Sequence, residues 1–300
     1  MAAIAYSPPP CFHSLIRQFM KHSILLLSIF FATAIHAQNV AIGLHSSSLV
    51  YLPFDLRGSQ TLDSSRFLIR YDATYPRNDV KKGMLVAEDV MVLLVGEKTS
   101  KFYSYGLDCM DRRKSYGVEI YVARRQDYVP YQVYTNIQNE EVEVVNRCPF
   151  YDSDRAYSYK DLSSIGWHVA AVTDSIMGYP CQKATCSAYG RDWEVWFTSD
   201  IPIRLGPWRL NGLPGLILKA SSGNYSFVAK ELRSAKEPID KPDWQYSSLS
   251  RAAWLKLYKN WHDSPYFYFT EGGKYRIFNI FTGSDYSEDW KIPYDPIESE

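Results

Sequence analysis

Apolar and polar residues alternate along most of this chain, and Gly, Pro, Asn and Asp break the alternation at short intervals. Arg66–Tyr71 reads as a strand. Met84–Glu97 reads as a longer one, rich in Val, Leu and Met, and Lys101–Tyr105 as its returning partner across Gly96-Glu97-Lys98. Val118–Val122 and Val129–Val145 add β-branched and Tyr-rich segments. Trp167–Val172 runs into the turn residues Met177-Gly178-Tyr179-Pro180. Cys181–Ala188 and Trp193–Thr198 flank Tyr189-Gly190-Arg191-Asp192, a hairpin signal. Leu216–Leu218 is apolar on both faces, Ser221–Asn224 turns the chain, and Tyr225–Lys230 returns with partial alternation. This order predicts a mainly β chain: an antiparallel twisted sheet or open half-barrel, with an α+β arrangement left open.

One segment has a helical period instead. Trp254, Leu257, Tyr258 and Trp261 fall at i, i+3, i+4 and i+7, an aromatic stripe on one face. Ser248 or Ser250 can cap its start, and Asp263-Ser264-Pro265 ends it. The stripe is expected to pack on the sheet. Beyond it, Tyr266–Phe269 and Tyr275–Ile280 read as a last hairpin around Glu271-Gly272-Gly273.

The densest turn chemistry lies at Gly212-Leu213-Pro214-Gly215-Leu216-Ile217. Pro214 fixes φ near −65°, which suits the second position of a β-turn. Gly215 then takes the position where a type II turn needs φ > 0. The motif therefore reads as a structural turn that launches a buried strand. Its glycine spacing fits no phosphate or dinucleotide fingerprint.

Composition adds a compartment. Met20-Lys21-His22 is followed by an apolar run from Ser23 to Ala34 and by Ile35-His36-Ala37, the pattern of a cleavable signal peptide with Met20 as the true start. Residues 1–37 are thus an upstream segment and signal, 38–59 a lead-in, 60–281 a single β-rich domain and 282–300 a polar tail. The apolar run is short for a membrane span, and no other run is long enough. No Cys sits at the cleavage site, so the expected product is periplasmic or secreted and not a lipoprotein. Basic and acidic residues balance at 33 each, which gives no basic excess for nucleic acid. Oligomeric state is not legible.

In an exported chain Cys109, Cys148, Cys181 and Cys186 are candidate disulfide cysteines, with three connectivities open. Cys109 with Cys148 is the simplest first pairing. Free buried cysteines are the alternative. No metal-ligand spacing, nucleophile elbow or cofactor motif stands out, so no catalytic, metal or cofactor-binding residue is assigned and no cofactor is expected. His168 lies in the densest β region, where a structural role is expected. The close carboxylates Asp152 with Asp154 and Glu140 with Glu141 read as solvated charges. Trp193 and Trp196 point to opposite faces of one strand, which argues against a flat sugar platform.

The stretch from Trp167 to Leu232 resembles the GLPGLI family, exported proteins of the Bacteroidota. The resemblance rests on Gly178-Tyr179-Pro180-Cys181-Gln182-Lys183-Ala184, Gly190-Arg191, Trp196-Phe197-Thr198, Asp200-Ile201-Pro202-Ile203, Gly206-Pro207-Trp208 and Gly212–Ile217 in that order. Ser100-Lys101-Phe102-Tyr103 fits the same style. The resemblance implies export to the cell envelope and carries no catalytic residues. The expected role is non-enzymatic binding of an apolar ligand or an envelope partner. The alternatives are an envelope glycan or peptide hydrolase, with carboxylates assembled by the fold, and a structural protein-interaction module.

Overall fold

A computed structural model describes residues 41–44, 51, 53–79, 83–115, 128–149, 155–269, 276–279 and 283–300. The signal segment, Val118–Val122, Asp152, Asp154 and Glu271–Gly273 lie outside the described residues. Among the described residues no helix is long and apolar enough to cross a membrane.

The chain is mainly β. Sixteen strands are described: β1 (Ala41–Leu44), β2 (Ser59–Ser64), β3 (Phe67–Asp79), β4 (Gly83–Val95), β5 (Thr99–Ser104), β6 (Tyr131–Asn136), β7 (Glu141–Arg147), β8 (Arg155–Leu162), β9 (His168–Ile176), β10 (Tyr179–Ala188), β11 (Arg191–Thr198), β12 (Leu216–Ser222), β13 (Tyr225–Ser234), β14 (Pro238–Pro242), β15 (Gln245–Ser248) and β16 (Arg276–Asn279). Three helices join them: α1 (Tyr105–Ser115), α2 (Arg251–Asp263) and α3 (Pro265–Phe269). Twelve strands form one sheet in the order β15-β8-β7-β6-β5-β4-β3-β13-β12-β11-β10-β9. Every pairing in it is antiparallel except β15 with β8. Its two ends, β15 and β9, do not meet, so the sheet is open.

The hairpins follow their turn residues. Met177 and Gly178 both take positive φ (55° and 82°) between β9 and β10, as do Tyr189 and Gly190 (58° and 75°) between β10 and β11. Positive φ at both central positions matches the twist of antiparallel strands. Gly223, at φ 55°, serves the β12–β13 turn.

Around β4 both faces of the sheet are covered, which explains the continuous apolar run of β4, whereas the edge strand β9 is exposed on both faces. Met91, Leu93 and Val95 face the main core with Ile69, Tyr71, Phe102, Val144, Trp193 and Phe227. Val92 and Leu94 face the other side, under Ile239 of β14. On that outer face Phe54, Tyr134, Val145, Ala156 and Trp244 form a satellite core. The inner face is roofed by Trp254, Leu255 and Trp261 of α2 and by Trp290 and Ile292. Of the segment 282–300, read from sequence as a polar tail, the described residues 283–300 are therefore part of the packing through Trp290 and Ile292.

Ser250 is the N-cap of α2, accepting from the Ala253 amide at 3.2 Å. The aromatic stripe packs on the sheet as expected, with Trp261 5.7 Å and Trp254 6.1 Å from Tyr157 of β8. Among the described residues the last predicted hairpin does not form. Tyr266–Phe269 lies within α3, and β16 pairs in parallel with β1. Pro265 suits the first turn of a helix, where its missing N–H is not needed.

Two further expectations fail. Gly215 does not take positive φ, so Leu213–Leu216 is not a type II turn; the positive-φ glycine of the motif is Gly212, at 93°. Gly215 is required for close approach instead. A Cβ there would overlap the Thr198 carbonyl, 2.6 Å from its carbon. Nor do the candidate disulfide cysteines bond: Cys109, Cys148, Cys181 and Cys186 are all free thiols. Cys109 sits on α1, which packs on β4 and β5, whereas Cys148 is buried in the inner core after β7. Cys181 and Cys186 lie on one strand, about 17 Å apart at β spacing, beyond the roughly 7 Å limit for a bridge.

Candidate functional site

The loop between β11 and β12 builds the site, and the Gly-rich motif shapes that loop. Leu205 bridges Asn211. The Ile217 amide donates to Leu205 O at 3.0 Å, and the Gly212 amide to Arg204 O at 3.1 Å. A Cβ on Gly206 would lie 2.7 Å from Ile217 Cβ, so glycine lets the loop close on β12. The tip delivers Trp208 and Arg209 onto the inner face. Trp208 holds φ at 56°, a left-handed conformation rare for a bulky side chain. Packing sustains it: Tyr189 lies edge-on at 5.1 Å and Trp193 is 5.5 Å away.

Arg209 is almost wholly buried and anchors a charge cluster. Its Nη1 donates to Glu298 Oε1 at 2.5 Å and its Nη2 to Asp161 Oδ2 at 2.7 Å. Its guanidinium lies 4.0 Å from the Tyr189 ring. Glu298 also accepts from Arg251 Nε and, at Oε2, from the Tyr159 hydroxyl. Both of its oxygens are thus engaged, as a buried carboxylate requires. Next to it, Arg191 bonds the Asp295 carboxylate. Arg191 also donates through Nε to Pro296 O at 2.8 Å and stacks on Tyr225 at 4.6 Å.

Between this cluster and α2 lies a cavity of about 170 Å³. Its walls come from Tyr131 of β6, Asn146 of β7, Tyr159 of β8, Trp208, Tyr225, Trp254, Tyr258 and His262, and from Ile292, Pro293 and residues 295–298. Three of the residues lining it carry buried polar atoms with no partner among the described residues, Asn146 Nδ2, Arg147 Nε and His262 Nε2. The Arg147 guanidinium lies on the outer face between Phe54 and Trp244, which leaves Asn146 and His262 for the cavity. Asn146 shares strand parity with Val142 and Val144, so its side chain lies on the inner face. His262 Nδ1 lies 2.9 Å from Pro293 O. A carbonyl only accepts, so Nδ1 carries the proton and Nε2 is an acceptor. Burial holds the imidazole below its usual pKa, against the pull of the Pro293 and Ile292 carbonyls. The cavity therefore offers one buried donor and one buried acceptor among aromatic rings and phenols.

Asp89 of β4 stands near the cavity without lining it. Burial pushes its carboxyl up to about 6, against the opposing pull of the Val129 amide, the Ser104 side chain and the Val90 amide.

The residues singled out from sequence fall elsewhere. His168 is exposed on the edge strand β9, where it lines a surface depression with Asp192 and Glu194. It has no structural burial to explain it. Glu140 and Glu141 are partly exposed, paired with Arg204 at 3.8 Å and Lys160 at 2.8 Å. Trp193 is buried, so it forms no sugar platform. Burial pushes the Cys148 and Cys186 thiols up to about 11, which makes them packing residues. Sequence reasoning missed Arg209, Arg251, Asn146 and Glu298. The available signal was the sharp Gly206-Pro207-Trp208 tip beside a lone Arg.

A family model described as N-glycanase peptide, N-terminal domain, matches residues 110–252. Two solved structures of PNGF-II, in the P21 and C2 space groups, are similar to the chain at 16% identity, with TM-scores of 0.47 and 0.46. They align with 64% and 66% of this chain. The aligned part is 33% of each PNGF-II chain, about a third of its length. No curated protein matches.

Proposed function

We propose that this chain is an exported, GLPGLI-type envelope protein that binds, without catalysis, one ring-sized ligand of the saccharide class in its inner cavity. The observation that carries the reading is the pair of partnerless buried atoms, Asn146 Nδ2 and His262 Nε2, on aromatic walls. A buried polar group without a partner costs about 1–3 kcal/mol. A ligand with hydroxyl groups and an apolar ring face satisfies both atoms and stacks on the rings. The volume fits a single ring: a cavity of about 150 Å³ holds benzene. The match to an N-glycanase N-terminal domain supports a setting in glycan recognition.

The wholly apolar ligand expected from sequence suits this cavity less well, because it would leave both atoms unpaired. The hydrolase reading needs an acid free to exchange a proton. Asp295 and Glu298, the acids on the cavity wall, are held by Arg191, Arg209 and Arg251.

The test is a titration of the purified chain with a panel of mono- and disaccharides and a fatty acid, followed by tryptophan fluorescence from Trp208 and Trp254. Saturable binding of a saccharide that Asn146→Leu abolishes is the expected result. Binding of the fatty acid alone, or no binding by any saccharide, overturns it.

A further inference from the structure

Residues 294–299 lie in a groove between the Tyr189–Arg191 turn and α2 in the manner of a bound peptide. The groove contacts the segment through both its main chain and its side chains. Arg191 Nε donates to Pro296 O at 2.8 Å, and Arg251 Nη2 to Ser299 O at 2.6 Å. The Tyr225 hydroxyl donates to Asp295 O at 2.7 Å. In return the Ser299 amide donates to Tyr189 O at 2.9 Å. Two acidic side chains add specificity: Asp295 on Arg191, and Glu298 on Arg209, Arg251 and the Tyr159 hydroxyl; the Ser299 hydroxyl also donates to Gly190 O at 3.4 Å.

The groove has internal supports of its own. Arg209 keeps Asp161 and the Tyr189 ring, and Arg191 keeps the Tyr225 ring. Gly190 provides the clearance: a Cβ there would overlap the Ser299 hydroxyl and sit 3.0 Å from Glu300 O. Pro293 and Pro296 restrict the segment's backbone and favour an extended form. Main-chain contacts plus two anchor side chains are how extended peptides are read, and arginine clusters are how acidic ones are selected.

We propose that this groove is a recognition site for extended acidic peptides with carboxylates three residues apart, and that residues 294–299 are its occupant in cis. An acidic segment of another protein takes the same place by exchange. The proposal does not depend on what the cavity holds. Exchange would also open the cavity, because residues 295–298 form part of its wall.

The test uses the full chain with Glu298→Gln, which loosens the cis segment and leaves all three arginines in place. A synthetic peptide of residues 290–300 is titrated against it and against the wild type. The variant is expected to bind at least about tenfold more tightly, because its groove is more often open. Added salt should weaken that binding, and a peptide with Asn and Gln in place of the two anchor carboxylates should not bind. Equal or absent binding of both peptides by a variant with wild-type circular dichroism overturns the proposal. Should the variant not fold, amide exchange in the wild type decides. The Ser299 amide is expected to exchange through local opening, at least about tenfold faster than the Ile217 amide. If both exchange together, only on global unfolding, the segment is a fixed part of the fold and the proposal fails.

Discussion

The Thr198 carbonyl sits where a Cβ on Gly215 would have to go. Gly215 starts no type II turn; it lets the end of the loop lie flat against the last residue of β11. A methyl group at this site must push the backbone of Thr198 and Ser199 away, because the colliding atoms are main chain.

Gly215→Ala should therefore destabilise the fold by about 2–3 kcal/mol, the cost of overpacking a tight core. Gly212→Ala meets open space, its nearest neighbour being Trp167 Nε1 at 3.7 Å, but must hold φ at 93°. It should cost about 1 kcal/mol. Urea unfolding of both variants checks the order; a larger loss at Gly212 would return the motif to turn chemistry.

The outer face carries a second sensitive point. Asp111 and Arg147 form a buried ion pair, and the guanidinium lies between the Phe54 ring at 4.8 Å and the Trp244 ring at 4.7 Å. Asp111 Oδ1 also accepts from the Phe54 amide at 2.8 Å. Asp111→Ala strands a buried cation and should cost about 3–5 kcal/mol. Removing both charges, with Asp111→Leu and Arg147→Met, should recover much of that loss. Denaturant midpoints of the single and double variants measure the difference. A double variant no more stable than the single one would show that the aromatic sandwich, not the charge, holds the site.

Asp89 predicts a pH dependence. Its folded pKa of about 6 lies above the usual carboxylate value near 4. The protonated form is thus the one the fold prefers. Its contribution is fully present below about pH 4 and is lost as pH rises through 6. The difference of about two units corresponds to roughly 3 kcal/mol. Asp89→Asn should remove this slope and be more stable than the wild type at pH 7, keeping an acceptor for the Val129 amide, now 2.9 Å from Oδ2. Unfolding free energies between pH 4 and pH 8 test it; parallel curves for the two proteins would show that Asp89 stays ionised in the fold.

Most of the sheet was legible because its strands state their own patterns, whereas β8 and β15, at one end of it, were not read from the sequence. Val90–Val95 announces burial on both faces, and Met177-Gly178 and Tyr189-Gly190 announce their turns. The α2 stripe was legible for the same reason. Gly215 misled because a Pro-Gly pair looks alike whether the glycine serves φ or clearance, and clearance depends on Thr198, distant in sequence. Tyr266–Phe269 alternates no differently from a strand, yet Pro265 starts a helix there. The site was illegible for a more basic reason. Glu298 meets Arg209 and Arg251 at separations of 89 and 47 residues, and such ion pairs leave no local period.

The cavity gives the last prediction. Asn146→Leu replaces a side chain whose Nδ2 is buried without a partner among the described residues by an apolar one of similar size. The amide's burial penalty disappears, so the ligand-free protein should gain on the order of 1 kcal/mol or remain unchanged. Saccharide binding should be lost at the same time, because the donor is gone. Most substitutions that abolish binding by damaging the fold lower the melting temperature; this one should not. Paired thermal unfolding and titration separate the two effects. A lower melting temperature would mean that Asn146 has a partner in solution, a bound water or a side chain, and the donor role assigned to it would be lost.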